Sequence, residues 1–196
     1  MMTITTAEIK ALRDETGLSI MQCRKALEEA GGDREKARIL LAKKSGEIAS
    51  KKGDRTLGAG TVATYIHASG NIGTMVELSC ETDFVSKNDE FKALAKDLAM
   101  QVAATNPAFL KREDINEEDR KKASEAFKNE VADKPVEMQE KILKGKVDSY
   151  FGEKVLMEQP FIKNPDQKIE DLINAAVQKF GERTEIRRFA RFSISE

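Results

Sequence analysis

The chain has 196 residues, of which 40% are hydrophobic, so it is long enough to bury a core in one domain or in two smaller ones. Its 33 basic and 34 acidic residues leave a formal net charge of −1, which gives no overall field to attract nucleic acid or an anionic membrane. This balance does not exclude a local basic patch.

The two cysteines form no CxxC motif, and reduced thiols in a cytoplasmic protein are the simplest interpretation. The amino-terminal residues contain no apolar signal segment, and no run reaches the ~20 apolar residues of a membrane span.

Three short helices are predicted in residues 1–45. Residues 5–8 and 19–22 are capping boxes, and Asp33 can cap a third helix, while Gly17 and Gly31-Gly32 end the first two. Each helix has an apolar face, formed by Ile9 and Leu12, by Ile20, Cys23, Leu27 and Ala30, and by Ala37, Leu40 and Leu41. The pattern predicts a compact bundle similar to ubiquitin-associated domains. A glycine-containing linker with some helix is predicted to follow at 46–60.

Residues 61–196 are predicted to form an α+β core domain. Period-two alternation from Thr61 and again over 72–80, separated by the turn-forming residues 68–71, predicts a β-hairpin. A helix is expected from about Asp89 to Thr105, and Asn106-Pro107 stops it.

The next part of the core is dense in charge of both signs. Asn116 can cap one helix and Pro135 fits the first turn of another, which Gly152 can end, so a helical hairpin is predicted. Its second helix has a predicted buried face of Leu143, Val147, Tyr150 and Phe151.

The carboxyl-terminal part is predicted to contain a short strand at Val155–Met157, an amphipathic helix over 169–180 closed by Gly181, and a final strand at 186–194. The predicted fold class is therefore α+β: a three-helix bundle, a linker, and a small antiparallel sheet of about three strands packed with helices and a helical hairpin.

Catalytic motifs are missing from the sequence, which has no Walker loop, no GxGxxG and no HExxH. His67 is the only histidine and has no Ser or Cys partner at a recognisable spacing, and Cys23 and Cys80 both fall on apolar faces. We therefore expect no enzyme, no cofactor and no bound metal.

An acid and an aromatic, Asp83 and Phe84, stand side by side where the hairpin alternation stops and helical spacing begins. Such a strand-to-helix connection can present side chains outside the fold. The alternative is structural, with Phe84 packed on its own hairpin and Asp83 capping the following turn.

The segment Glu81-Thr82-Asp83-Phe84-Val85 resembles the signature of the elongation factor Ts family, guanine-nucleotide exchange factors of elongation factor Tu. Further matches to this family extend along nearly the whole chain: Leu12-Arg13, Thr16-Gly17, Met21, Cys23 to Leu27, Gly32-Asp33, Glu153 to Val155, Gln159 to Phe161 and Ile186 to Phe189. The length resembles the short bacterial form, with one core module.

The resemblance implies that the Asp83-Phe84 turn inserts near the Mg²⁺ of GDP-bound elongation factor Tu. All four residues from Thr82 to Val85 are expected to belong to this partner-binding segment. Phe84 is expected to act as an apolar wedge and Asp83 to supply a polar contact, while Thr82 and Val85 fix the turn. GDP then leaves, and GTP can bind during translation elongation.

A second contact with the same partner is implied for the bundle, through Leu12, Arg13, Ile20, Met21 and Arg24. From the residues alone, Leu12 and Ile20 equally fit the bundle core, and the two arginines could be solvated surface charges. Met21 lies off the apolar face and suits an adaptable contact.

Members of the short form can work as homodimers, so the resemblance also gives residues 61–196 a dimerisation role. A cysteine in the final strand cross-links some such dimers. This chain has Ala190 at that place, so a non-covalent homodimer is expected.

Two other binding functions remain open alongside the exchange factor. Lys43-Lys44, Lys51-Lys52 and Arg187-Arg188-Arg191 could serve a nucleic-acid- or ribosome-associated protein. The bundle alone would fit a ubiquitin-like adaptor, which leaves the rest of the chain unexplained.

Overall fold

The computed structural model describes residues 4–131 and 135–194, and within them the chain is mixed α+β. These residues form eight α-helices, a three-stranded antiparallel sheet and a two-stranded one, which confirms the predicted fold class. The absence of a signal segment was predicted partly from residues 1–3, which lie outside the described residues. None of the helices in the described part is long and apolar enough to cross a membrane.

The first three helices are α1 (Thr6–Thr16), α2 (Ile20–Glu29) and α3 (Arg34–Lys51). Both predicted capping boxes are present: the Thr5 hydroxyl accepts from the backbone of Glu8, whose carboxylate accepts from the Thr5 N–H at 2.7 Å, and Ser19 and Gln22 repeat the arrangement. Buried side chains from the three helices and from the α1–α2 connection form one core: Leu12, Leu18, Cys23, Ala26, Leu27, Ala37 and Leu41.

The prediction that Ile20 belongs to this core is wrong. Ile20 is the first residue of α2 and is 56% exposed, because the other helices leave the first turn of α2 uncovered. The buried face of α2 begins one turn later, at Cys23.

The third helix continues through Lys51, so the first part of the predicted linker is helical and its second half packs against the core. The Ser45 hydroxyl, buried in this contact, donates to Gln178, and Lys52 Nζ donates to the Gly181 carbonyl at 2.6 Å. The division into residues 1–45, 46–60 and 61–196 stays a prediction.

The main sheet contains β1 (Ala59–Ile66), β2 (Ile72–Cys80) and β5 (Thr184–Ser193) in the order β1-β2-β5. The predicted hairpin and final strand are thus confirmed, and all pairings are antiparallel. Helix α5 (Asp89–Thr105) covers one face, and Asn106 ends it in a left-handed conformation. The core between sheet and helix includes Val76, Leu78, Cys80, Phe91, Ala95, Leu98, Val102 and Ile186.

The predicted helical hairpin consists of α6 (Glu117–Lys128) and α7 (Val136–Lys154). Asn116 caps α6 by accepting from the Asp119 N–H at 2.8 Å. Gly152 does not end α7, which continues to Lys154. Tyr150 was also placed on the buried face but is 39% exposed, whereas Phe151 is buried.

After α7 the structure departs from the predicted strand at Val155–Met157. Val155 makes a single bridge with Phe109, and a 3₁₀ turn follows at Leu156–Glu158. A small hairpin of β3 (Pro160–Phe161) and β4 (Asn164–Lys168) comes next and was not predicted. Helix α8 (Ile169–Phe180) ends at Gly181, as predicted.

Candidate functional site

The Asp83-Phe84 pair lies between the end of β2 and the start of α5, as predicted, within a one-turn helix that the sequence did not predict. This helix, α4 (Asp83–Ser86), has Thr82 as its N-cap, but the Thr82 side chain makes no capping hydrogen bond. Asn88 caps α5 directly afterwards, with its side-chain oxygen accepting from the Glu90 N–H at 2.8 Å. The pair is therefore carried on a short, turned connection between two long elements.

The ring of Phe84 projects away from the protein, with 83% of the residue exposed. The alternative in which Phe84 packs on its own hairpin is therefore wrong. Val85, the next residue, is only 4% exposed and belongs to the main core. Adjacent residues thus have opposite roles: Val85 anchors α4, and Phe84 faces solvent.

The carboxylate of Asp83 is exposed and forms an ion pair with Lys87 at 2.6 Å. The hydrogen bond from Lys87, together with its charge, lowers the pKa of Asp83 below its ordinary value. The site therefore presents an ionised acid beside an exposed aromatic ring.

Two glutamates hold the base of this turn. The Glu182 carboxylate accepts from the N–H of Glu81 at 3.1 Å, from the N–H of Thr82 at 3.0 Å and from the Thr82 hydroxyl at 2.6 Å. In the opposite direction, the Glu81 carboxylate accepts from the Arg183 N–H at 2.5 Å and from the Arg55 guanidinium at 3.2 Å. The Arg183 N–H, and secondarily Arg55, lower the pKa of Glu81 against the opposing effect of burial.

Cys80 lies beneath the turn, and its buried thiol donates to the Thr82 carbonyl at 3.2 Å. Burial raises the pKa of this thiol, which keeps it protonated at neutral pH. His67 is exposed, and its Nδ1 bonds the Ser69 hydroxyl at 3.0 Å within the β1–β2 turn. Among the described residues, no group of three or more His, Cys, Asp or Glu side chains could hold a metal ion.

The residues predicted to bind from the bundle divide by exposure. Leu12 is fully buried, whereas Ile20 and Met21 are 56% and 74% exposed and together begin α2. Arg13 and Arg24 are exposed, and Arg24 pairs with Glu28 at 2.9 Å. An apolar pair at the tip of α2, flanked by arginines, is thus available for contact.

Lys179 of α8 lies between this part of the bundle and the turn. Its ammonium is 3.6 Å from the position that a Cβ would take at Gly17, in the α1–α2 connection. The same ammonium lies 3.1 Å from the Glu90 carboxylate in the first turn of α5, just beyond α4. The α1–α2 connection and the first turn of α5, which follows α4, therefore border one side chain.

A third exposed feature is the face of the main sheet that α5 does not cover. Large apolar side chains from all three strands or their ends are exposed there: Val62, Ile66, Met75, Phe192 and Ile194. Ala190 pairs with Met75 across β2 and β5 and is also exposed.

Similar proteins were found over the whole chain. A sequence model of a protein family, described as elongation factor TS, matches residues 13–196. The elongation factor Ts of Thermodesulfovibrio yellowstonii is 47% identical over 196 residues, covering 100% of this chain and 98% of that protein. The elongation factor Ts of Carboxydothermus hydrogenoformans is 46% identical, over 98% of this chain and 90% of that protein. That of Thermotoga petrophila is also 46% identical, over 100% of this chain and 98% of that protein.

Proposed function

Because the chain belongs to the elongation factor Ts family, and is thereby a translation elongation factor, we propose that it releases GDP from elongation factor Tu. The observation that carries the proposal is the exposure of Phe84, 83% free beside an ionised Asp83 on a turn anchored by buried Val85. Aromatic residues are enriched at protein–protein interfaces, so an exposed phenylalanine within the family signature supports a contact role.

The proposed mechanism assigns a role to each residue of the turn. Phe84 enters a pocket of elongation factor Tu as a wedge, and Asp83 contacts polar groups beside the Mg²⁺. Magnesium requires near-ideal octahedral oxygen geometry, so a small displacement of its ligands weakens binding sharply. Loss of the ion removes positive charge beside the diphosphate, and GDP affinity falls. Thr82 is exposed and belongs to the proposed contact, whereas Val85, also predicted to bind the partner, is only 4% exposed and acts by fixing the turn.

The same action follows from thermodynamic linkage. A protein that binds nucleotide-free elongation factor Tu more tightly than the GDP form must lower GDP affinity by the same factor. A coupling of about 3 kcal/mol corresponds to roughly a hundredfold change. GTP in turn displaces the factor, which can therefore act repeatedly. The chain works by binding in the cytoplasm and carries out no covalent chemistry of its own.

We further propose that the bundle docks on a second surface of the same partner through Ile20, Met21, Arg13 and Arg24. Exposed apolar side chains flanked by arginine are a composition typical of contact surfaces. Leu12 is fully buried, so its role in this contact is to hold α1 in place.

A non-covalent homodimer is proposed through the uncovered face of the main sheet. Val62, Ile66, Met75, Phe192 and Ile194 leave an apolar surface there that a second copy would cover. Ala190 lies within this surface and provides no sulfur for a cross-link.

The competing nucleic-acid function has less support. Several of its basic residues already have protein partners: Lys44 pairs with Glu29 at 2.7 Å, and Arg188 pairs with Glu77 at 2.6 Å. Their charge is locally neutralised, which weakens any patch for phosphate groups.

The test is the dissociation rate of fluorescent GDP from elongation factor Tu, measured by stopped flow with and without this protein. The proposal predicts a rate that rises with protein concentration and reaches a plateau. It also predicts moderate salt dependence, whereas phosphate binding would weaken steeply with salt. An unchanged GDP dissociation rate at micromolar protein would contradict the proposal.

A further inference from the structure

The pairing of β2 with β5 ends just before the Asp83-Phe84 turn. The last paired residues are Cys80 and Thr184, so the backbone N–H groups of Glu81 and Thr82 have no acceptor from a strand. Glu81 is half-buried and Thr82 is exposed, and a backbone donor without a strand acceptor bonds a side chain or water instead. Another acceptor must therefore replace the hydrogen bonds of the β2–β5 ladder if the start of α4 is to be held in one position.

Glu182 supplies the missing acceptors. One carboxylate oxygen accepts from both N–H groups, at 3.1 and 3.0 Å, and the other accepts from the Thr82 hydroxyl at 2.6 Å. Hydrogen bonds to an ionised acceptor are roughly twice as strong as those between neutral groups. Three of them converge on a single side chain that is 100 residues away from Thr82 along the chain.

We call these three hydrogen bonds to the Glu182 carboxylate the Glu182 clamp. The Thr82 hydroxyl explains why the clamp acts on α4 in particular. Thr82 is the N-cap of α4, a position where a threonine side chain usually accepts from the first turn of its helix. Here that hydroxyl donates to Glu182 instead. The helix that carries Asp83 and Phe84 is consequently fastened at its N-cap residue to the segment between α8 and β5.

The segment that bears Glu182 is itself held in place. Gly181 turns the chain at φ +72°, and the Arg183 N–H donates to the Glu81 carboxylate at 2.5 Å. The Arg183 guanidinium also donates to the Arg55 carbonyl at 2.6 Å. The Glu182 side chain thus bonds the backbone of residues 81–82, and the Glu81 side chain bonds the backbone of Arg183. These reciprocal bonds restrict sliding of one segment past the other.

We propose that Glu182 is a positioning residue for Asp83 and Phe84, fixing the start of α4 so that the exposed ring is presented in one orientation. This inference rests on the proposed exchange function. A wedge that is ordered before binding loses less conformational entropy when it enters its pocket. Loss of the clamp should therefore slow the step in which the turn acts, while the docking of the bundle is retained.

The variants that test this are Glu182→Gln, which removes the charge and one acceptor oxygen, and the pair Thr82→Val and Thr82→Ser. Glu158→Gln is the matched control, because Glu158 is a partly buried glutamate that pairs with Arg112 at 2.5 Å and has no contact with Glu81, Thr82 or Arg183. Each variant is measured for the maximal stimulated rate of GDP release, the protein concentration giving half that rate, and the thermal midpoint.

Glu182→Gln is expected to lower the maximal rate about tenfold, the size expected when a charged hydrogen-bond partner is lost. The half-saturating concentration should stay within about twofold, since the bundle contact does not involve this residue. Thr82→Val should show a smaller loss of the same kind, and Thr82→Ser should keep the wild-type rate. Glu158→Gln should lower the thermal midpoint at least as much as Glu182→Gln and leave the maximal rate unchanged.

Amide hydrogen exchange followed by NMR gives a readout that needs no elongation factor Tu. The Glu81 and Thr82 amides should exchange at least about tenfold faster in Glu182→Gln, while that of Leu78, inside the ladder, keeps its rate. If Phe84→Ala impairs release but Glu182→Gln matches wild type in both assays, the positioning role is overturned and the exchange function stands. If wild type does not accelerate release at all, the exchange function fails, and the positioning role fails with it.

Discussion

Lys87 and Asp83 stand one helical turn apart, and the Lys87 ammonium is 2.6 Å from the Asp83 carboxylate. Both side chains are 74% exposed, so the pair lies in water beside the Phe84 ring. In the free protein the acid that is proposed to act on the partner is thus neutralised by a lysine of its own segment. In the proposed complex, groups of the partner would replace that lysine beside Asp83.

Replacing Lys87 should change the titration of Asp83. The lysine stabilises the ionised acid, so Lys87→Met is expected to raise the pKa of Asp83 toward its ordinary value. Carbon-detected NMR of the Asp83 carboxyl group during an acid titration measures this directly. Lys92→Met is the control, because Lys92 pairs with Asp89 instead. An Asp83 pKa that is the same in wild type and Lys87→Met would show that the pair does not persist in solution.

Acid should lower the free energy of unfolding in part by protonating the Glu81 carboxylate, which accepts from the Arg183 N–H. Its pKa is lowered in the folded protein, chiefly by the Arg183 N–H, so the stability it contributes is fully present above the pKa of the unfolded glutamate. That contribution is lost as pH falls through the lower, folded value. Urea unfolding between pH 6 and pH 3 should therefore show a shallower decline in the free energy of unfolding for Glu81→Gln than for wild type.

The control for this titration is Glu47→Gln, at an exposed position of α3. The free energy of unfolding of Glu47→Gln should change with pH as that of wild type does. Parallel curves for wild type and Glu81→Gln would contradict the assignment of Glu81 as a charged acceptor.

Two residues of the bundle should behave in opposite ways. Leu12→Ala removes a fully buried side chain and should cost about 2–5 kcal/mol of unfolding free energy. Met21→Ala alters a residue that is 74% exposed and should change stability by less than about 0.5 kcal/mol. Only Met21→Ala should weaken binding without unfolding the protein, as measured by titration calorimetry with elongation factor Tu.

The exposed Ile39 of α3 provides a matched control for Met21, since it is 64% exposed and lies outside the proposed contact. Ile39→Ala should bind as wild type does. Equal affinities for Met21→Ala and Ile39→Ala would remove Met21 from the interface. These point variants are preferable to deletion of the bundle, because a cut near Ser45 would divide α3 where it packs on α8.

The sheet face predicts how copies of the chain associate. Phe192→Asp should shift sedimentation equilibrium from dimer to monomer, because it places a charge in the apolar face that a second copy would cover. Ala190→Cys should form a disulfide-linked dimer under oxidation, while buried Cys23 and Cys80 stay reduced. A wild-type protein that sediments as a monomer at all concentrations would contradict the dimer.

Local patterns in the sequence predicted most of the secondary structure. The capping boxes at Thr5 and Ser19 and the left-handed stop at Gly17 depend on residues three or four positions apart, and such signals can be read without the fold. The alternation through Val76, Leu78 and Cys80 likewise predicted the strand that packs on α5.

The sequence-based predictions failed where contacts between distant segments determine the structure or the burial of a residue. Residues 164–168 are polar and contain a proline, so they carry no strand signal, yet Asn164 and Lys168 pair with Phe161 and Pro160. Ile20 has an apolar side chain near the helical spacing of the core, but no neighbouring helix covers it. Both outcomes depend on what lies opposite the segment, and local periodicity does not contain that information.

The candidate site likewise has one part that local sequence patterns predicted and one part that they did not. The position of Asp83 and Phe84 between strand and helix followed from the change in period, but the one-turn helix α4 did not, because four residues carry no periodic signal. Glu182 could not be identified beforehand. Its contacts with Glu81 and Thr82 exist only because β5 returns beside β2.

The central claim is that the exposed ring of Phe84 drives nucleotide release, and stopped-flow release of fluorescent GDP from elongation factor Tu tests it most directly. Phe84→Ala should lower the maximal stimulated rate by at least about tenfold, as expected for the loss of an anchoring aromatic, and leave the thermal midpoint unchanged because the ring is 83% exposed. Ile39→Ala, the matched exposed apolar control, should release GDP at the wild-type rate. A Phe84→Ala protein that stimulates release as fast as wild type would contradict the account.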